Sequence, residues 1–396
     1  MSLVDRIKGL AAEYSADTIR IRRHIHAHPE LSYQEYETAK FVASELKAIG
    51  LEPTEGVAET GVTAVIEGKN PEKRTIALRA DMDALPIVEA NDVPYKSLNE
   101  GVMHACGHDA HTASLLGTAR ILNSIKDEFE GSVRLVFQPG EEKNPGGASL
   151  MIKAGVLENP EPRHMVGQHV LPYIPTGKIG FRSGMYMASA DEIYLTVKGK
   201  GGHAALPDKA IDPILIASHI VVALQQVISR NADPKLPTVL TFGSIHGGSA
   251  TNIIPNEVKL KGTFRALNEE WRFEAHKRIT KMAESLAEGM GGSCEVNISV
   301  GYPYLVNNPE TTQIARTAAE AYVGSDNIVD LSLWMGAEDF AYYSQQVPSC
   351  FYRLGTGNEA KGTTFGAHTP NFNVDEDALE LGMGLMAWIA TEELKS

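Results

Sequence analysis

The sequence is short of positive charge: 36 lysines and arginines against 50 aspartates and glutamates leave a formal charge of −14 over 396 residues. A nucleic-acid binder needs a concentrated basic surface to displace phosphate counterions, so that class is excluded. Cysteine is scarce as well. Cys106, Cys294 and Cys350 are too few and too scattered for a disulfide framework, which favours a reducing compartment. No run of about 18 apolar residues occurs, so no membrane span is expected. The first thirty residues carry charges every few positions and have no apolar stretch of the secretory kind, so a cytoplasmic protein is expected. Repeats, low-complexity tracts and Pro/Ser linkers are missing too. Hydrophobic content of 43% and charged content of 22% are ordinary globular values, against disordered or fibrous classes. The length suits about two domains and a large core that needs no staples.

What is present is a change of pattern along the chain. Leu3, Ile7, Leu10, Ile19 and Ile25 recur at helical intervals until Pro29, and YETAKFVASELKAIG reads as a second helix stopped by Gly50. The runs GVTAVIEG, RTIALRADMDALPI and SVRLVFQPGEE read as strands, alternating with the helix TASLLGTARILNSI. That alternation predicts an α/β domain with a mixed, mostly parallel sheet and helices on both faces, whose sites collect beyond the strand ends. From about residue 187 the order becomes strand (DEIYLTVKGKG), helix (PILIASHIVVALQQVIS), two strands, helix and strand. This βαββαβ order predicts an inserted α+β domain of ferredoxin-like type. The expected division is 1–186 with 302–396 for the first domain and 187–301 for the insert.

The 13 histidines are not evenly spread. MHACGHDAHTA places His104, Cys106, His108, Asp109 and His111 within eight positions, just ahead of a helix. Cys106 and His108 are two apart, so in an extended segment both face one side. A thiolate with imidazole suits a first-row divalent ion such as zinc, manganese, cobalt or nickel. One such pair cannot complete a site, so further ligands must come from elsewhere. Glu141 and Glu142 in QPGEE end an apolar strand, where carboxylates have no packing role; neighbours on a strand point oppositely, so one can bind metal and the other act as a base. His169 in MVGQHVLP and His368 in FGAHTPNFNV are further candidates; taken alone, His169 reads better as a packed core histidine, and His368 reads equally well as a loop histidine.

Taken together, RRHIHAHPELSYQE, ALRADMDALPI, HACGHDAHTA, FQPGEE, GKGGHAALP, ATNIIPNEV, GAEDFAYY and GAHTPNF resemble the M20 family of metallopeptidases and amidohydrolases. They follow that family's order over residues 15–390, and they match its aminoacylase and hippurate-hydrolase-like branch. The resemblance implies two divalent metal ions per subunit held by Cys106, His108, Glu142, His169 and His368, with Glu141 as general base and later acid. Asp83 would orient a metal-binding imidazole. His203 would stabilise the oxyanion from a partner subunit, and Asn252, Arg265 and Gly336 would contact the substrate. A homodimer, or a tetramer, through the insert is implied. Many relatives carry a histidine ligand where Asp81 stands and a bridging aspartate in place of the Cys106/His108 segment, which leaves the native metal open.

The implied activity is hydrolysis of N-acyl-L-amino acids, acetyl, benzoyl or indole-acyl, to a carboxylic acid and a free amino acid. A dipeptidase or carboxypeptidase would use the same site. Two other classes compete: a thiol amidase with Cys106 as nucleophile, and a binding protein that retains the metal site without turnover.

Overall fold

The computed structural model describes residues 2–396. Its first helix, α1 (Leu3–Ala27), opens with a capping box in which Ser2 and Asp5 satisfy each other's backbone amides. The apolar stripe faces inward, burying Ile7, Ile21 and Ile25. The helix stops at Ala27 because His28 precedes Pro29, and a residue before proline is pushed out of the helical region. Helix α2 (Tyr36–Ala48) follows, and Gly50 turns the chain at φ +82°.

The chain forms two units. The first takes the residues up to Tyr186, then Val306–Leu333 and Asp339–Ser396. It holds an eight-stranded sheet built from β1 (Thr54–Val57), β2 (Gly61–Glu67), β3 (Thr75–Asp81), β4 (Ser132–Gln138), β5 (His164–Pro175), β6 (Ile179–Phe181) and the strands Ile328–Asp330 and Ser349–Gly357. Their order is β1-β2-β4-β3-β5, then 349–357, β6 and 328–330. The central pairs β4/β3, β3/β5 and β5/349–357 are parallel, while β1/β2, β2/β4 and 349–357/β6 are antiparallel. Every residue of β3 and β4 is buried, which is why both read as continuous apolar runs rather than alternating ones. Helix α3 (His108–Ser124) packs with α1 and the C-terminal helix Ala378–Glu393 as one group. Helix α4 (Gly147–Lys153) pairs with the short helix Ala341–Ser344 over β4 and strand 349–357. The architecture is mixed α/β, with a mostly parallel sheet at its centre.

The second unit comprises Met187–Leu305 together with Trp334–Glu338. Its sheet is antiparallel, in the order Val239–His246, Glu257–Arg265, Asp191–Lys198, Ser293–Val300. The helices Pro213–Gln226 and Glu269–Gly289 cover it, burying Ile193, Leu195, Ile216, Ile220, Phe264 and Ile279. Asp191, fully buried, accepts from Arg272 Nε and lies 2.8 Å from His276 Nε2, tying the second helix to the sheet. By length and composition one segment, Pro213–Asn231, could cross a membrane, with mean hydropathy 1.3 over its best window. Asp212 caps it, and its Ile216, Ala217, Ile220 and Leu224 face this unit's core.

Candidate metal centre

Parallel strands deliver their C-terminal ends to one edge of the sheet, and the first unit gathers its reactive side chains from such ends. Beyond β3 lies Asp83, fully buried. Its Oδ1 and backbone oxygen lie 3.1 and 2.9 Å from His108 Nδ1, and its Oδ2 accepts from Ser32 Oγ at 2.6 Å and from the Glu142 amide at 3.0 Å. Burial alone would raise the Asp83 carboxyl; the hydrogen bonds and the His108 charge outweigh it and leave it below the ordinary value.

His108 is the first residue of α3. The chain reaches it through Gly107 in the left-handed region (φ +90°), where a Cβ would lie 2.4 Å from Val170 Cγ2. Cys106 and His108 therefore converge across a glycine turn rather than along an extended strand. Strand alternation would also send Glu141 and Glu142 to opposite sides. Instead β4 ends at Gln138, and a turn at Gly140 (φ +58°) brings both carboxylates to His108, with ligand atoms within 4.8 Å of one another. Nothing larger fits at Gly140, since a Cβ would stand 2.2 Å from the Tyr33 ring.

The other groupings interlock with this one. Cys106, His108 and His169 lie within 4.8 Å of one another, as do Cys106, Glu142 and His368. His169 Nε2 is 3.5 Å from Cys106 Sγ, and His368 Nε2 is 3.1 Å from Glu142 Oε1. The Cys106 thiol and the Glu142 carboxylate push His368 up to about 10, so without metal this ring holds a proton that a bound cation would displace. His203, Asn252, Arg265 and Gly336 belong to the second unit. There His203 is exposed on a two-residue strand paired with Ile253–Ile254, and the Ala204 amide donates to the Asn252 carbonyl at 3.0 Å. Arg265 ends its strand half-buried, and the Gly336 carbonyl accepts from the Ala188 amide.

The donor set fits a divalent metal. His108 Nδ1 is committed to Asp83 and His169 Nδ1 to the Val170 carbonyl at 2.7 Å, so each ring offers Nε2. His108 Nε2 is buried with no hydrogen-bond partner, a costly state for a polar atom unless a cation takes it up. Thiol, imidazole and carboxylate together suit borderline first-row ions. Burial raises the Cys106 thiol, the opposite of what activates a cysteine nucleophile. Of the rest of the dense motif, Asp109 accepts from Arg22 and His111 from the Val170 amide, while both ring nitrogens of His104 are buried without a hydrogen-bond partner.

Sequence reasoning passed over Glu35. Its buried carboxylate accepts from the Gly140 amide at 2.8 Å and from Thr60 Oγ1 at 2.7 Å, holding the turn that carries Glu141. Burial, then the Asp83 charge, push it up to about 7 from an ordinary 4.5. A carboxyl raised in the folded state stabilises the fold fully below its unfolded value and loses that contribution as pH rises through the folded one. In metal-free protein Glu35 should therefore contribute a fall in stability between about pH 4.5 and 7, and Glu35→Gln should lack that part of the pH dependence. Thermal unfolding midpoints across this range, compared between the two proteins, check it.

Thiol, imidazole and paired carboxylates converging in this way form the donor set of a divalent-metal protein. Residues 77–392 match the model of peptidase family M20/M25/M40. The chain is 42% identical to thermostable carboxypeptidase 2 of Saccharolobus solfataricus, covering 96% of each. It is 40% identical to N-acetyl-L-cysteine deacetylase of Bacillus subtilis, over 91% of this chain and 84% of that one. Among solved structures, the Bacillus subtilis YXEP protein, described as a dinuclear metal-binding peptidase of the M20 family, superposes with a TM-score of 0.83 at 35% identity, covering 97% and 99% of the two chains. The chain belongs to peptidase family M20/M25/M40, and is a metal-dependent amidohydrolase within it.

Proposed function

We propose that the enzyme hydrolyses N-acyl-L-amino acids at a dinuclear metal site. Cys106, His108, Glu142, His169 and His368 would hold two divalent ions, of zinc, manganese, cobalt or nickel. When bound, such a pair supplies Lewis acidity that lowers the pKa of water and polarises the scissile carbonyl. Glu141 stands beside His108 and Glu142, with Oε1 accepting the Asp339 amide at 3.3 Å. It takes the proton of the attacking water and returns it to the departing amino nitrogen. Asp83 fixes the ring of His108. To His203 we assign stabilisation of the oxyanion of a partner subunit's site, and to Asn252, Arg265 and Gly336 contacts with the substrate's carbonyl and carboxylate.

The second unit's strand order and two helices support a ferredoxin-like insert serving as lid and dimerisation domain. Exposed Ile214, Leu215 and Val222 on its first helix offer an apolar surface for a homodimer. Three free, buried cysteines suit a cytoplasmic enzyme. The observation that carries the whole reading is the convergence of thiol, three imidazoles and two carboxylates, with the rings of His108 and His169 held by partners at Nδ1.

The 42% identity to a carboxypeptidase keeps peptide cleavage as the second reading. The two separate on substrates that share a carboxylate: N-acetyl-methionine should show the higher kcat/KM, and glycyl-methionine the lower. A preference for the free-amine dipeptide would reverse the assignment.

A further inference from the structure

Arg79 lies in β3 with its side chain fully buried, a positive charge inside a strand every residue of which is buried. Its fork reaches two groups of residues. Nη1 donates to Asp81 Oδ2 at 2.6 Å, Nη2 to Asp339 Oδ1 at 2.8 Å, and Nε to Gln138 Oε1 at 2.9 Å.

On the first arm, Asp81 Oδ1 lies 2.6 Å from His111 Nδ1, and His111 Nε2 accepts from the Val170 amide at 2.9 Å. An amide nitrogen only donates, so Nε2 carries no proton, and the ring's single proton is on Nδ1, given to Asp81. His111 is thus a neutral imidazole with both nitrogens engaged, although its position near Asp81 and His108 would otherwise suggest a ligand. The peptide it grips is the one joining His169 to Val170, and the Val170 carbonyl in turn takes His169 Nδ1–H. On the second arm, Asp339 Oδ2 accepts from the Ala148 amide at 2.9 Å and Gln138 Nε2 at 2.8 Å, while the Asp339 amide donates to Glu141 Oε1.

We infer that Arg79 is the hub of a buried network with two separable outputs, in which His111 is a positioning residue for His169 and Asp339 one for Glu141. The inference rests on the metal reading above. Groups that orient metal ligands typically set affinity by about 10- to 100-fold, whereas a displaced base slows turnover by up to about 100-fold.

The test is calorimetric titration of metal-free protein with Mn²⁺, alongside kcat and KM at saturating Mn²⁺. His111→Phe, which keeps a ring and loses both hydrogen bonds, should weaken Mn²⁺ binding about 10- to 100-fold. His111→Gln, whose amide oxygen can still accept from Val170, should recover most of that loss. Asp339→Asn should bind Mn²⁺ as wild type does and lose kcat about 10- to 100-fold at unchanged KM. Unchanged Mn²⁺ affinity in His111→Phe, or parallel losses of affinity and kcat in His111→Gln and Asp339→Asn, overturns the inference while leaving the metal site standing. Wild-type protein that takes up no Mn²⁺ overturns both.

Discussion

A Glu141→Gln enzyme is expected to fold, to bind its metals and to lose kcat by about 10²- to 10⁴-fold, the usual contribution of a positioned general base. The amide keeps the shape of the carboxylate and can still accept the Asp339 amide, so the turn after β4 has no reason to move. What disappears is the ability to take a proton from water and hand it to the leaving nitrogen. Metal content separates this cause from a broken site. Two equivalents bound with activity gone is the expected result, measured by elemental analysis beside turnover of an N-acyl amino acid. An active Glu141→Gln protein would remove Glu141 from the chemistry.

Asp109→Ala should be the most destabilising single change in the dense histidine motif. Asp109 is fully buried, accepts from Arg22 Nε at 2.7 Å and lies 2.7 Å from His26 Nδ1, joining α3 to α1. Burial alone would raise its carboxyl, but Arg22 and then His26 hold it well below the ordinary range. Removing it leaves the Arg22 guanidinium buried, with Glu376 Oε1 3.3 Å from Nη1 and the amide oxygen of Asn373 2.9 Å from Nη2. Breaking a buried ion pair from one side costs about 3–5 kcal/mol. Denaturant unfolding at neutral pH should show a loss of that order. The contribution is present above the unfolded carboxyl value, near 4, and fades as pH falls through the lower folded value, so wild type and variant should converge in strong acid.

These two residues also mark how far the sequence could be read. Periodicity located α1, β3 and β4 because each is patterned by one environment: a stripe for the helix, complete burial for the strands. It did not reveal the turns at Gly107 and Gly140, and these decide where Cys106, His108, Glu141 and Glu142 point. Density of reactive side chains was a fair guide to the site but not to roles. Within one motif His108 faces the other candidate ligands, Asp109 is bound to α1, and His111 pins the backbone of β5. Those distinctions depend on partners 59 to 87 residues away in the chain. Arg79 left a legible trace, an arginine within RTIALRAD, since a charge in a buried strand needs partners. The grouping of Trp334–Glu338 with the second unit left none, because it is a purely tertiary association.

The acidic total of −14 describes the chain and not the pocket. The buried carboxylates of Asp81, Asp83 and Glu141, with the mostly buried Glu142, accumulate negative charge that two divalent ions would offset. The central claim is that the interlocked groups around Cys106 and Glu142 hold two metals that the reaction requires. Its most direct test is to strip the protein with a chelator, restore a single divalent ion stepwise, and follow N-acyl amino acid hydrolysis against metal bound per chain. Activity should be absent at zero metal and complete at two equivalents. Hydrolysis that survives complete chelation would contradict the claim, and would return Cys106 to consideration as a nucleophile.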